Sequence, residues 1–160
     1  MPNNISYKSD SNVKVGQLIL KIGGIAVAYA TSAQLTISTD VIDTSNKMDG
    51  SWKSGLAGKK SYTVNSEALL TEQEGAKSYK DLVNAQIVGQ PIAFEFGTMK
   101  STEGADGSLQ NVDIDPAYEN YSGNLIITQN DIQSKSGDLA KHTFQAQGSG
   151  PLIPVAPVAG

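Results

Sequence analysis

Three groups of side chains in this 160-residue sequence have the types and spacing that could do chemistry. The first is the single histidine, His142. Imidazole works as a general acid or base only when a nucleophile or carboxylate is held within hydrogen-bond reach. His142 alternates in phase with Phe144 along HTFQAQ, which places it on a strand as a structural residue. The second group is GLAGKKS, residues 55–61, which has the glycines and lysine of a phosphate-binding loop. Its first glycine is wrongly spaced from Gly58 and Lys59, and a strand-like alternation follows where the motif must open a helix. It reads as a turn with lysines facing water. The third group is DIDPAYEN, where Asp113, Asp115 and Glu119 could offer oxygens to a hard cation. The EF-hand glycine and ligand spacing are missing, so this reads as a solvated loop.

The remaining carboxylates are scattered, and no pair is placed by spacing for glycoside hydrolysis. Asn4 and Asn120 each begin a glycosylation triplet, a pattern without weight in the absence of a secretory signal. The expectation is a protein that is not an enzyme, with no catalytic residue, no metal site and no cofactor.

Trp52 is of another kind. It is the sole tryptophan and the one large aromatic in residues 41–59, a long Gly/Ser/Lys-rich loop between two strand-like runs. Loops of that size in compact domains usually carry function, and a lone indole in one either folds onto its own core or anchors in a partner's pocket. The loop's length favours the partner.

Composition narrows the partner. All 12 basic residues are lysine, against 16 acidic ones, for a net charge of −4. Readers of DNA or RNA rely on clustered cations and arginine forks, so a dedicated nucleic-acid binder is excluded. Cysteine is absent, which removes disulfides, thiol nucleophiles and thiolate metal sites. No run of 18 apolar residues exists and MPNNISYKSDSN has no hydrophobic signal core, so a soluble protein not exported by the Sec route is expected, with no membrane partner.

The elements that would carry the loop are strands. Leu18, Leu20 and Ile22 alternate with polar neighbours, Gly23-Gly24 signals a two-residue turn, and Ile25, Val27 and Tyr29 continue the pattern. A third strand through Leu35 and Ile37 runs to Asp40, and a fourth carries Tyr62, Val64 and Ser66 on one face. Thr71 and Glu74 have capping-box spacing, and Ala76, Tyr79, Leu82, Val83 and Ile87 recur at helical intervals until Gly89 and Pro91. Strands through Phe94–Phe96, Leu125–Ile127 and His142–Ala146 follow, with a second long polar loop over residues 98–120. The composition and periodicity predict a mainly β single domain. It is a β-sandwich or partly closed barrel of about seven strands, with one flanking α-helix and the long loop extended from it. Residues 1–15 form an N-terminal arm, and the proline-rich residues 151–160 form an extended tail outside sheet or helix.

The ordered set GQLILKIGG, IDTSNK, GSWKSGLAGKKSYTV, the helix, YSGNLIIT and GDLAKHTFQAQGSGPL resembles the major tail protein family, the tail tube subunits of long-tailed bacteriophages. The resemblance spans residues 15–152. It implies a β-sandwich with a flanking helix that assembles as hexameric rings stacked into a hollow tube, through which DNA passes without specific binding. It also implies a virion tail location, with host cytoplasm during assembly, and tape measure, tail terminator and baseplate or initiator proteins as partners. Residues 41–59 would contact neighbouring subunits, with Asp43, Asn46, Lys47, Trp52, Lys53 and Lys59 as the assembly interface. A ring of six would multiply the negative charge, and a lumen of that sign repels phosphate. Two other readings stay open. One is the tube of a contractile tail or type VI-like injection apparatus. The other is a carbohydrate-binding, adhesin-like β-sandwich, which the 6% aromatic content disfavours.

Overall fold

The computed structural model describes residues 18–27, 29–70 and 79–158. The expected N-terminal arm, the triplet at Asn4 and the Thr71–Glu74 capping box lie outside the described residues.

Alternating apolar residues build the sheet. Among the described residues the strands are β1 (Leu18–Ile22), β2 (Ile25–Ala26), β3 (Ala30–Asp43), β4 (Gly55–Leu69), β5 (Ile92–Glu103), β6 (Leu109–Ile114), β7 (Asn120–Gln133), β8 (Lys141–Gly148) and β9 (Ile153–Val155), and the helix is α1 (Tyr79–Val88). All neighbours are antiparallel. The order across the sheet is β2-β1-β5-β7-β8-β4-β3, with β6 added to β5 and β9 to β7. The β1–β2 turn is Gly23-Gly24, both at positive φ (61° and 83°), the conformation a two-residue primed turn requires.

The sheet is mainly β as expected, and it curls. Tyr62 of β4 and Phe94 of β5 stand with ring centroids 5.7 Å apart, although β8 and β7 lie between their strands. In a flat sheet three strand spacings would part them by about 14 Å. Curling brings Leu20 and Ile22, Val64, Phe94 and Phe96, Leu125 and Ile127, and Phe144 and Ala146 into a single buried cluster. Each Val, Leu, Ile or Phe of this cluster removed from water contributes about 1.5–3 kcal/mol before the entropy of ordering is set against it. Of the two expected shapes the chain takes the partly closed one: one curled sheet whose end strands are β2 and β3.

Helix α1 lies against β7. It ends where expected, with Gly89 at φ 77° and its N–H donating to the Ala85 carbonyl at 3.0 Å, followed by Pro91. The expected stripe needs one correction. Leu82 is buried, but Ile87 is exposed. At 100° per residue Ile87 sits 140° around from Leu82, whereas Gln86 returns to the same side. Gln86 therefore meets the sheet: its Nε2 donates to the Thr128 carbonyl (3.1 Å) and its Oε1 accepts from Asn130 Nδ2 (2.7 Å).

Three expected loops are strand. The ladder of β3 and β4 continues through Val41–Ala57, Ile42–Leu56 and Asp43–Gly55, so the loop expected at 41–59 shrinks to residues 44–54. Residues 98–120 likewise hold the end of β5, β6 and the turn joining them. Residues 153–155 of the tail pair with β7 as β9, Ile153 against Ser122 and Val155 against Asn120. Among the described residues nine strands stand where about seven were expected, and the two added are β6, half of a hairpin largely solvated on both faces, and β9, a three-residue piece on β7.

Candidate assembly site

Beyond Thr63, β4 has no β8 partner, so residues 39–43 and 55–60 leave the body as a two-stranded ribbon. Five residues at roughly 3.3 Å each carry its tip about 17 Å outward. The ribbon bends at a bulge, where the register passes from Thr39–Lys60 to Val41–Ala57 and two β4 residues, Gly58 and Lys59, face Asp40 alone. A Cβ at Gly58 would come within 3.2–3.3 Å of Asp40 and Ile42, which accounts for glycine there. The segment 55–61, expected as a turn, is thus a bulged strand.

The tip is ordered by its own polar atoms. Thr44 N–H donates to the Ser54 carbonyl (3.0 Å) and Ser54 N–H to Ser45 Oγ (3.0 Å), which closes the ribbon. Asp43 Oδ1 accepts from Ser45 N–H (2.8 Å), and Ser45, through its hydroxyl first and its amide second, holds this carboxyl below the usual range. Asn46 Oδ1 accepts from Met48 N–H, Asp49 Oδ2 accepts from Asn46 N–H, and Gly50 completes the turn at φ 67°. With these groups satisfied internally, the tip displays its apolar ones. Met48 is 94% and Trp52 84% exposed. Val41, Ile42 and Leu56 on the ribbon are exposed as well. A two-stranded ribbon bare on both faces is marginal in water and gains by being covered.

Of the six expected interface residues, the structure gathers all on the ribbon and its tip. Asp43 and Asn46 shape the tip, Lys47, Trp52 and Lys53 project from it, and Lys59 sits at the bulge. Met48, Val41 and Leu56 escaped notice because sequence alone assigns them to a loop with no face.

Strand β3 is the second feature. Among the described residues it is an end strand, 14 residues long, ATSAQLTISTDVID, and pairs with β4 alone. Long edges normally carry lysine or proline against pairing with other chains. This one has neither.

The third feature is the convex face of β3, β4, β8 and β7. Register places Gln34, Asn65, Gln145 and Gln129 side by side across the four strands. The next row is Ser32, Glu67, Thr143 and Asp131, and on the other side lie Thr36, Thr63, Gln147 and Ile126. Amides and hydroxyls dominate, with two carboxylates and, one step on, Lys141 4.0 Å from Glu67.

Of the remaining candidates His142, Asp113 and Asp115 have structural partners, and Glu119 lies exposed just before β7. His142 is buried, with Nε2 2.7 Å from Asn130 Oδ1, and stacks on Phe144. Burial pushes its pKa below the ordinary value, with Asp131 opposing. Asp113 accepts from Lys21 Nζ at 2.7 Å, and that bond, followed by the Ile114 N–H, holds its carboxyl below the usual range. Asp115 caps the Ala117 N–H. Among the described residues no three His, Asp or Glu side chains converge as metal ligands, and no helix is long and apolar enough to cross a membrane.

No protein-family model and no curated protein sequence matches the chain. Solved structures do. A chain of the virion of a native gene transfer agent particle is similar over 89% of this chain and 99% of its own, with a TM-score of 0.69 and 17% identity. The SPP1 tail tube gives a TM-score of 0.61 at 9% identity, over 89% of this chain and 78% of that one. The sheath-tube complex of an extracellular contractile injection system, PVC, in its extended state gives 0.60 at 16% identity, over 92% and 93%. The curled sheet with its flanking helix is therefore the tail-tube fold.

Proposed function

We propose that this chain is a major tail protein, the structural subunit of a virion tail tube, whose copies close into hexameric rings that stack around a DNA channel. The observation that carries this reading is the β3 edge, long and free of lysine and proline. A lone molecule leaves its outer N–H and C=O groups to water; a ring gives each a partner in the next copy and has no ends. The same closure sets the convex faces of successive subunits side by side. The face rich in Gln, Asn, Ser and Thr borders the channel, because it offers neither an apolar surface to bury nor a cationic one to hold phosphate. The ribbon reaches to another copy. Tape measure, terminator and baseplate proteins meet the tube at its lumen and ends, and the subunit passes through host cytoplasm before it joins the tail.

Similarity to both a tail tube and a sheath-tube complex leaves the contractile and non-contractile forms under this one reading. The test is negative-stain microscopy with sedimentation over a concentration series. Rings or tubes with a stain-filled centre are expected. A particle that remains at 16.8 kDa at every concentration and binds a glycan array would instead be a sugar-binding sandwich.

A further inference from the structure

The outer side of α1 has more apolar surface than its own fold uses. Leu82 and Gln86 make the sheet contact, yet Ile87 is 78% exposed and Val88 is also bare. Beside them lies an open groove of about 360 Å³, with Ala85, Val88 and Ile92 among its apolar lining and Asp81, Asn84 and Gln90 among its polar lining. Its chemistry matches the ribbon tip. An indole presents a flat apolar body and one N–H that can only donate, and the groove lining combines the apolar Ala85, Val88 and Ile92 with Asn84 and Gln90, whose amides include an acceptor oxygen. Lys53 adjoins Trp52 in sequence, and among the described residues that line the groove the charged one is Asp81. Within one molecule the ladder up to Asp43–Gly55 holds the indole out in solvent, so this pairing needs two chains.

We infer that the α1 groove is the socket for Trp52 of a second copy of this chain, with the indole on Ala85, Val88 and Ile92 and Lys53 beside Asp81. The inference rests on the tube reading and names the contact that reading leaves open. An anchor residue contributes most where it fills a hollow and loses its water.

The chain has no cysteine, so introduced thiols report without background. Lys53→Cys and Asn84→Cys proteins, which keep the indole and the apolar floor, are mixed under assembling conditions and oxidised. Disulfide dimers are expected between the two variants, and not between Lys53→Cys and a Thr143→Cys control on the convex face. In parallel, Val88→Asp and Trp52→Ala are each expected to raise the critical concentration for assembly about tenfold or more, with an unchanged fold by circular dichroism. If wild-type tubes form but the Lys53/Asn84 pair stays unlinked, or Val88→Asp assembles at the wild-type concentration, the socket is wrong and the tube reading stands. If the wild-type chain does not polymerise and the Lys53→Cys/Asn84→Cys pair does not cross-link at any concentration, both fall.

Discussion

The ring of Tyr62 occupies the space where a side chain on Gly148 would begin. A Cβ built on Gly148 would stand 2.2 Å from Tyr62 Cζ, and one on Gly123 would stand 2.6 Å from the same residue's hydroxyl oxygen. The phenol donates to the Asn124 carbonyl at 2.9 Å, so the ring is pinned at its far end and cannot slide away. Gly148→Ala should therefore destabilise the subunit by about 1–3 kcal/mol, the usual cost of forcing extra atoms into a packed core. Urea unfolding of the monomer reads this as a lower midpoint at unchanged slope. An unshifted midpoint would mean that the ring is not fixed over the glycine.

Under α1 a chain of polar contacts runs from His142 through Asn130 to Gln86 and ends on the Thr128 carbonyl. Burial lowers the His142 pKa, so the folded protein favours the neutral ring. The stabilisation is complete above the unfolded imidazole value of about 6.5 and is lost as pH falls below it toward the depressed folded value. With one histidine in the chain, almost no other side chain titrates between about pH 5 and 6.5. The urea midpoint should fall across that window in the wild type and stay flat in His142→Phe. Amide exchange should speed first in α1, since the relay is its main polar tie to the sheet.

Ile37 sits on β3, exposed, where the edge would meet another copy. Ile37→Lys puts a desolvation cost and like-charge repulsion at that seam while removing little from the core. The monomer should keep its stability to within about 0.5 kcal/mol. Ring or tube formation should be lost or shifted to much higher concentration, measured by pelleting and negative stain. Normal tubes from this variant would mean that β3 is not a ring seam.

Alternation was legible in the sequence wherever one face of a strand is buried and the other wet. Leu20 and Ile22, Val64 and Ser66, Phe94 and Phe96, and Phe144 and Ala146 all point inward as expected. The Gly23-Gly24 turn was legible because positive φ singles out glycine. The two projecting hairpins were not, for the same physical reason in both. Residues 39–43 with 55–60, and 98–103 with 109–114, are largely solvated on both faces, so no apolar contrast marks their pleat. Ile87 misled because its spacing from Val83 suits a helix stripe, while the face that docks is set by Leu82 and Gln86. Sheet order and the amide row across β3, β4, β8 and β7 depend on register between distant strands, which one strand's pattern cannot encode.

That amide row gives the sharpest test of where DNA would travel. Gln34, Asn65, Gln145 and Gln129 can each form hydrogen bonds but hold no charge, and Glu67 and Asp131 beside them add a weak negative bias. A polyanion passing such a surface releases no condensed counterions to it and so has little reason to stay. Gln129→Lys with Gln145→Lys reverses that condition at two exposed positions per subunit, repeated around every ring. The substitutions lie away from the β3 edge and the ribbon, so tubes should still form. The doubly substituted tubes should retain short duplex DNA on co-sedimentation at about 50 mM salt and release it by about 200 mM, the steep dependence expected of several phosphate contacts. Wild-type tubes should pellet without DNA at both. Retention by the wild type, or accessibility of the introduced lysines to a bulky amine reagent on intact tubes, would put this face on the outside and move the channel to another surface of the subunit.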